Sequence, residues 1–256
     1  MNNNTRTQKR IRLERIGAVL LAVVIWQIVA MLLNETLLMA TPVRVLKELC
    51  ILVTESAFWR AIWFSFKRIV LGYFLALSVG AVLAVAAARF HVIETLLWPF
   101  ISIIKATPVA SFIILCLVWL NAKNLSVFIS FLMVVPIIYT NVLQGLLATD
   151  KKLLEMAHVF KLSWGKQFVH IYLPQLRPYL LSACSLSLGI AWKSGVAAEV
   201  IGIPGGSIGE MLYQAKLYLD SPQLFAWTAV IIVVSVIFEK LFLLLLKRFY
   251  KRLEAL

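Results

Sequence analysis

Three lysines stand where lysines are costly. Lys105, Lys193 and Lys240 each fall inside a long apolar run, and an ionisable group at the centre of a membrane span costs about 2.5–3.5 kcal/mol on insertion scales. Each therefore needs a reason to be there. Lys240 lies near the inner end of its run, where its stem can lie in lipid while the ammonium reaches the headgroups. Lys193 lies deeper, roughly 21 Å into its run at about 1.5 Å per residue, past the midplane. Outward snorkelling and a place along a solute path are both open to it. Lys105 precedes Thr107-Pro108, where a proline frees a backbone carbonyl that a lysine can bond; structural bonding and a path role are again both open. The two path candidates are cationic, which favours an anionic or strongly polar solute. Glu199 closes its run at the outer end, where it could meet Lys216.

Other chemistry finds little support. His91, His158 and His170 form no H-E-x-x-H or other metal pattern, and they read as surface polar groups. Cys50, Cys116 and Cys184 are scattered without pairing or metal spacing, as packing residues are. No serine elbow, paired inner carboxylates or cysteine-nucleophile context occurs. There is no G-x-x-x-x-G-K-[ST]. The glycines of Gly202-Ile203-Pro204-Gly205-Gly206 follow no strand and precede no lysine, so they do not cradle ATP phosphates. The sequence therefore implies no metal, no resident cofactor and no catalytic site. Energy for any uphill step must come from another chain.

The elements that position these charges follow from composition. Of 256 residues, 62% are apolar and 14% charged, against about 45–50% and about 25% in soluble domains. A water-soluble core of that size is implausible, whereas spans of about 20 residues in hydrocarbon accommodate it. The chain is expected to be all-α and polytopic, with no β alternation to compete. Six apolar runs are legible: Ile16 to Leu33, Ile69 to Ala88, Leu96 to Leu120, Leu125 to Ala148, Tyr179 to Glu199 and Phe225 to Leu246. The first is long for a signal-peptide core, and Leu38 spoils the small-residue pattern for cleavage after Ala40, so a retained helix is expected. Between the first two runs, Thr41-Pro42 reads as a helix start opening an amphipathic segment, Val43 to Thr54.

A net charge of +13 would suggest nucleic acid in a soluble protein. Here the basic residues bracket the spans: Arg6, Lys9, Arg10, Arg12 and Arg15 before the first, and Lys247, Arg248, Lys251 and Arg252 after the last. Both termini are expected in the cytoplasm, and threading six spans leaves inner segments with roughly twice the basic residues of outer ones. Lys67 and Arg68 are the exceptions, expected to flank the second run on its outer side. The layout is a tail over 1–15, a membrane domain over 16–252 and a short tail over 253–256.

The largest inner interruption, Asp150 to Pro178, does not read as a passive connector. Leu153 to Phe160 has helical composition, Ser163 is a plausible cap for a second short helix from Trp164 to Ile171, and Leu173-Pro174 should end it. Two short helices lying across the inner face could dock a partner, or could lie on the headgroups as an ordinary amphipathic loop.

Glu155-Met156-Ala157, followed at a fixed interval by Ile171-Tyr172-Leu173-Pro174, resembles the EAA signature of permease subunits of ATP-binding-cassette importers. Glu155, Ala157, Ile171, Leu173 and Pro174 fall in register. Lys161 stands where the signature has glycine. A left-handed turn there would cost a non-glycine residue about 1 kcal/mol, unless Gly165 takes over the bend. The likeness extends from Thr41 to Arg252. Ala40-Thr41-Pro42-Val43-Arg44-Val45-Leu46, Ser65 to Tyr73 and Lys105-Ala106-Thr107-Pro108 are similar, in order, to landmarks of the nitrate, sulfonate and taurine branch. So are Val135 to Asn141, Gly189-Ile190-Ala191-Trp192 with Ala198-Glu199, and Ser207-Ile208-Gly209.

What the resemblance implies is a homodimer of permease chains enclosing a path, with cytoplasmic ATPase subunits gripping each inner loop and an extracytoplasmic solute-binding protein delivering the solute. ATP would be bound by the ATPase alone. Glu155, Met156, Ala157, Phe160, Lys161, Gly165, Ile171, Leu173 and Pro174 would couple to it. Lys105, Thr107, Pro108, Asn141, Lys193 and Glu199 would line the path, and Pro204, Gly205, Gly206 and Gly209 would build an outer gate within 201–222, unless that stretch is a plain surface loop. The location would be a bacterial inner membrane, and the solute nitrate, a sulfonate, taurine or a thiamine-precursor pyrimidine. The rivals are a stand-alone secondary transporter, disfavoured by the absence of internal repeats, and a membrane-embedded enzyme, disfavoured by the missing catalytic cluster.

Overall fold

The computed structural model describes residues 3–33 and 39–253, the side chains of 3–13, 15, 16, 33, 151 and 253 excepted. The expected basic N-terminal flank and the C-terminal tail thus lie largely outside the described side chains. The described residues are helical throughout, without strands, as hydrocarbon demands of backbone that must satisfy its own hydrogen bonds. The chain is a multi-pass membrane protein.

Helix α1 runs Asn3–Leu33 and carries an apolar stretch over Gly17–Leu32. Helix α2, Pro42–Leu52, opens as its sequence predicts: Thr41 is the N-cap, its hydroxyl accepting the Arg44 amide at 3.4 Å, and Pro42 follows. α3 spans Ser56–Arg89, α4 His91–Ala106, α5 Val109–Leu117 and α6 Ala122–Leu147. α7 covers Lys151–Val159 and α8 Trp164–Gln167; a π-helical turn, Phe168–Tyr172, leads into α9, Leu173–Gly202. α10 is Ile208–Leu217 and α11 Ser221–Leu253.

Among the described residues four helices are long and apolar enough to cross a bilayer, or five when α4 and α5 count as one span. The expected single span over 96–120 is broken at Thr107-Pro108, where α4 and α5 meet at 103°. Pro108 cannot donate to Ile104, and its ring drives Thr107 into extended backbone (ψ 133°). The second run is also longer than its apolar centre suggested. Lys67 and Arg68 do not flank α3 but lie within it. Lys67 sits over the Trp63 ring at 5.0 Å, and Arg68 stacks on Phe64 at 3.8 Å while donating to the Lys123 carbonyl at 2.5 Å.

The chain divides into two compact units. In the first, residues 1–59 with 211–230, aromatic contacts pair Phe58 with Trp227 at 5.1 Å and Trp26 with Phe225 at 5.5 Å. In the second, residues 60–210 with 231–256, α6 and α9 form the central pair. The α6 window is 61% buried, against 6% for α11, so α6 lies at the heart of the second unit. Helices approach closely through small residues, as they must where lipid gives no hydrophobic drive. A Cβ on Gly195 would lie 2.6 Å from both Ile69 of α3 and Ser130 of α6, so α3, α6 and α9 meet at that glycine. Above it, Ile113, Cys116, Leu125, Ile129, Met133 and Ala198 pack α5 against α6 and α9.

Candidate functional site

The segment after α6 is built to hold a shape. Asp150 caps α7, accepting the Lys152 amide at 2.9 Å, and α7 ends in a paired turn. The Leu162 amide donates to the Ala157 carbonyl at 2.9 Å and the Lys161 amide to His158 at 3.0 Å, the two bonds of a Schellman cap. Lys161 itself adopts φ 49°. The left-handed turn therefore falls where the signature has glycine, and Lys161 bears its strain. Gly165 does not take it over: it lies inside α8 without a positive φ. Ala157 is fully buried and fixes α7 to the body of the chain, while Glu155, Met156, Val159 and Phe160 point outward, the last two 76% and 70% exposed.

Past Ser163, which occupies the cap position without a side-chain bond, the sequence expectation fails. Leu173-Pro174 does not end the helix. The residue four before Pro174 is His170, inside the π turn, where the Leu173 amide reaches the Phe168 carbonyl instead of Val169. That wider register absorbs the missing N–H and the ring's bulk, so a 39-residue helical stretch runs unbroken from Trp164 to Gly202. Ile171 is buried, Leu173 half-buried and Pro174 exposed.

At the far end of α9 a second constellation forms. Glu199, 0% exposed, accepts the Ser65 hydroxyl of α3 at 2.5 Å and the Gly209 amide at 3.4 Å; Ser65 in turn accepts the Ile208 amide at 3.0 Å. The carboxylate thus ties α3 and α9 to the start of α10. Only glycine fits at 209, because a Cβ there would run into the Glu199 backbone and Cβ. Ile203 (φ 47°) ends α9 in a left-handed turn, and Gly206 (φ 79°) turns the chain again. Pro204 is buried, Gly205 and Gly206 exposed. Ser207 caps α10 by accepting the Glu210 amide at 3.0 Å, and Glu210 reaches back to the Gly206 amide at 2.5 Å, a variant of the capping box. Glu199, expected along a path, is sealed inside the chain.

The lysines separate. Lys105 bonds no freed carbonyl: its Nζ donates to Thr140 Oγ1 at 2.8 Å, and Thr140 donates to the Pro136 carbonyl at 2.6 Å. It borders a groove of about 300 Å³ with Glu94, Trp98 and Tyr139. Thr107 donates its hydroxyl back to the Ile103 carbonyl at 2.8 Å, and Asn141 donates one amide N–H to the Ile137 carbonyl at 2.8 Å, which leaves its second N–H and its oxygen over. Lys193 is exposed on a polar stripe of α9 with Ser182, Ser185 and Gly189, bordering an open groove of about 640 Å³. Ser185 donates to Glu239 of α11 at 2.8 Å. Glu239 is the sole acid in the last apolar run, and that isolation is the sequence signal for a part-buried partner such as Ser185. Among the described residues no group of three or more potential metal ligands assembles.

Residues 69–255 match the family described as the binding-protein-dependent transport system inner membrane component. The chain is 27% identical over 240 residues to a putative aliphatic sulfonates transport permease protein of Bacillus subtilis (strain 168), covering 92% of this chain and 86% of that protein. It is 25% identical over 252 residues to the nitrate import permease protein of Synechocystis sp. (strain PCC 6803), covering 93% and 86%. A crystal structure of an amino acid ABC transporter with histidines superposes with a TM-score of 0.52 over 73% of this chain and 91% of that chain, at 18% identity, a likeness of fold.

Proposed function

The chain belongs to the family of binding-protein-dependent transport system inner membrane components, and from that premise we propose how it works as the permease subunit of an ATP-driven importer. Six crossings are formed by α1, α3, the bent α4–α5 pair, α6, α8–α9 and α11, with both termini in the cytoplasm. Two copies of the chain enclose the path. Residues 150–178 are the handle gripped by a cytoplasmic ATPase subunit. Residues 201–222 form the outer gate that meets a solute-binding protein. Lys193 and Lys105 set a cationic bias suited to a small oxyanion such as nitrate or a sulfonate; taurine and thiamine-precursor pyrimidines remain within the same polar class.

The observation that carries this reading is the build of α7. Its inner face is anchored by the buried Ala157 and closed by a paired turn, while Glu155, Met156 and Phe160 are presented outward. A rigid exposed knob on a fixed base is what a foreign motor needs in order to transmit motion instead of unfolding the segment it holds. The test is co-purification of the detergent-solubilised chain with a co-expressed ATP-binding-cassette ATPase. E155K should abolish capture of the ATPase without changing the thermal stability of the chain. Full capture by E155K together with M156A would overturn the assignment.

A further inference from the structure

A groove of about 480 Å³ opens beside the coupling segment, between the last turns of α3, the end of α6 and the α8–π stretch. That volume lies within the range of about 300–1,000 Å³ typical of sites for small organic ligands. Its floor is aliphatic: Val82 and Val85 of α3 and Leu147 of α6. Val82 is 67% exposed on a helix that crosses the membrane, so the floor continues the lipid-facing surface. Its mouth is different. Arg89, in the last turn of α3, borders it together with Trp164 and Tyr172. Trp164 stacks on Phe168 at 5.5 Å. Amphipathic aromatics with a basic group at the end of a span mark the headgroup level. Among the described residues Arg89 has no ion-pair partner, and it is exposed at this rim.

We propose that this groove holds one anionic phospholipid, an acyl chain along Val82, Val85 and Leu147 and the phosphate on the Arg89 guanidinium, clamping the coupling segment to the end of α3. The chemistry fits each part of the cleft. An apolar trough continuous with the bilayer takes hydrocarbon without desolvating anything polar. A guanidinium offers a phosphate two parallel N–H donors, and basic pockets at span ends favour lipids with net negative headgroups. The consequence reaches further than retention. Trp164, Phe168 and Tyr172 belong to the stretch joining α7 to α9, so an occupied groove packs the handle against a membrane span.

The test is native mass spectrometry of the detergent-purified full chain with an equimolar mixture of phosphatidylglycerol and phosphatidylcholine bearing the same acyl chains. This readout needs neither transport nor an ATPase, so it stands or falls apart from the proposed function. The wild-type chain should retain phosphatidylglycerol over phosphatidylcholine by about five-fold, R89Q should bring the two to equality, and V82W, which fills the trough, should lower retention of both. R248Q, at the basic end of α11, should keep the wild-type preference. An unchanged preference in R89Q, or an equal loss in R248Q, would reveal diffuse surface attraction and overturn the site. If V82W leaves lipid retention intact but blocks capture of the ATPase, the groove is a protein contact and the proposal is wrong.

Discussion

Ser65 of α3 donates its hydroxyl to the carboxylate of Glu199 on α9 at 2.5 Å, across 134 residues of chain, and the same oxygen accepts the Ile208 amide. One small side chain thus bonds one oxygen of a buried acid and the first turn of α10 together. In S65A both partners lose that bond inside the protein, at a cost of about 1.5–3 kcal/mol. The thermal unfolding midpoint of the detergent-solubilised protein should fall, and E199Q, which still accepts from Ser65, should fall less. Equal midpoints for S65A and the wild type would mean that the carboxylate is not anchored there.

Gly209 allows α10 to start against Glu199. G209A sets a methyl group into the Glu199 backbone, which side-chain movement cannot relieve, and should cost about 1–3 kcal/mol. G205A, where an added Cβ meets nothing within 4 Å, should leave the midpoint unchanged, and the contrast between the two is the measurement.

Lys161 sits in the left-handed region at φ 49°. Glycine there removes roughly 1 kcal/mol of backbone strain and returns part of it as unfolded-state entropy. K161G should therefore stabilise the chain slightly, by about 0.5 kcal/mol, and keep capture of the ATPase. K161P, whose ring fixes φ on the negative side, should unfold the turn and lose capture.

Lys193 and Glu239 bring opposite charges to neighbouring stretches of membrane helix: the lysine on the α9 stripe, the acid held by Ser185. K193M should reduce anion uptake into vesicles by about ten-fold, the change that about 1.4 kcal/mol produces, while ATPase capture persists. E239Q keeps an acceptor for Ser185 and should spare the fold. Wild-type uptake kinetics in K193M would remove the lysine from the path.

Glu48 of α2 has its carboxyl pushed above the ordinary range, first by partial burial and then by the nearby Asp220 and Glu55. A raised acid binds its proton more tightly folded than unfolded. Its stabilising contribution is complete below the unfolded carboxylate range and is lost as pH climbs through the folded value. E48Q should therefore flatten the change in thermal midpoint between acidic and neutral pH. A slope identical to that of the wild type would show that Glu48 does not carry it.

Local signals in the sequence were read well where the cause was itself local. Thr41-Pro42 starts α2, Ser163 stands at a helix cap, and of the two positions open for the left-handed turn it is Lys161 that adopts it. What escaped was set by geometry at a distance. The Ser65–Glu199 bond joins segments no window spans. The break at Thr107-Pro108 was visible as a motif but lay inside an apolar run long enough to be taken for one crossing. Pro174 followed the usual rule for a helix end, and a π turn that no composition signals overrode it. Glu239 was hidden by Lys240, whose snorkelling accounted for the charge at that depth without reference to its neighbour.

The stretch from Trp164 to Gly202 has a mechanical meaning. Its 39 residues reach about 58 Å at about 1.5 Å per residue, and one end carries the stacked Trp164 and Phe168 while the other carries Glu199, bonded to Ser65. In the proposed importer, a push delivered at Trp164 would travel along one continuous helical stretch to Gly202 with no loop between. Two features interrupt its regular hydrogen bonding, the widened turn at Phe168–Tyr172 and Pro178 inside α9, so in the proposed importer those few residues would set how faithfully motion at one end is reproduced at the other.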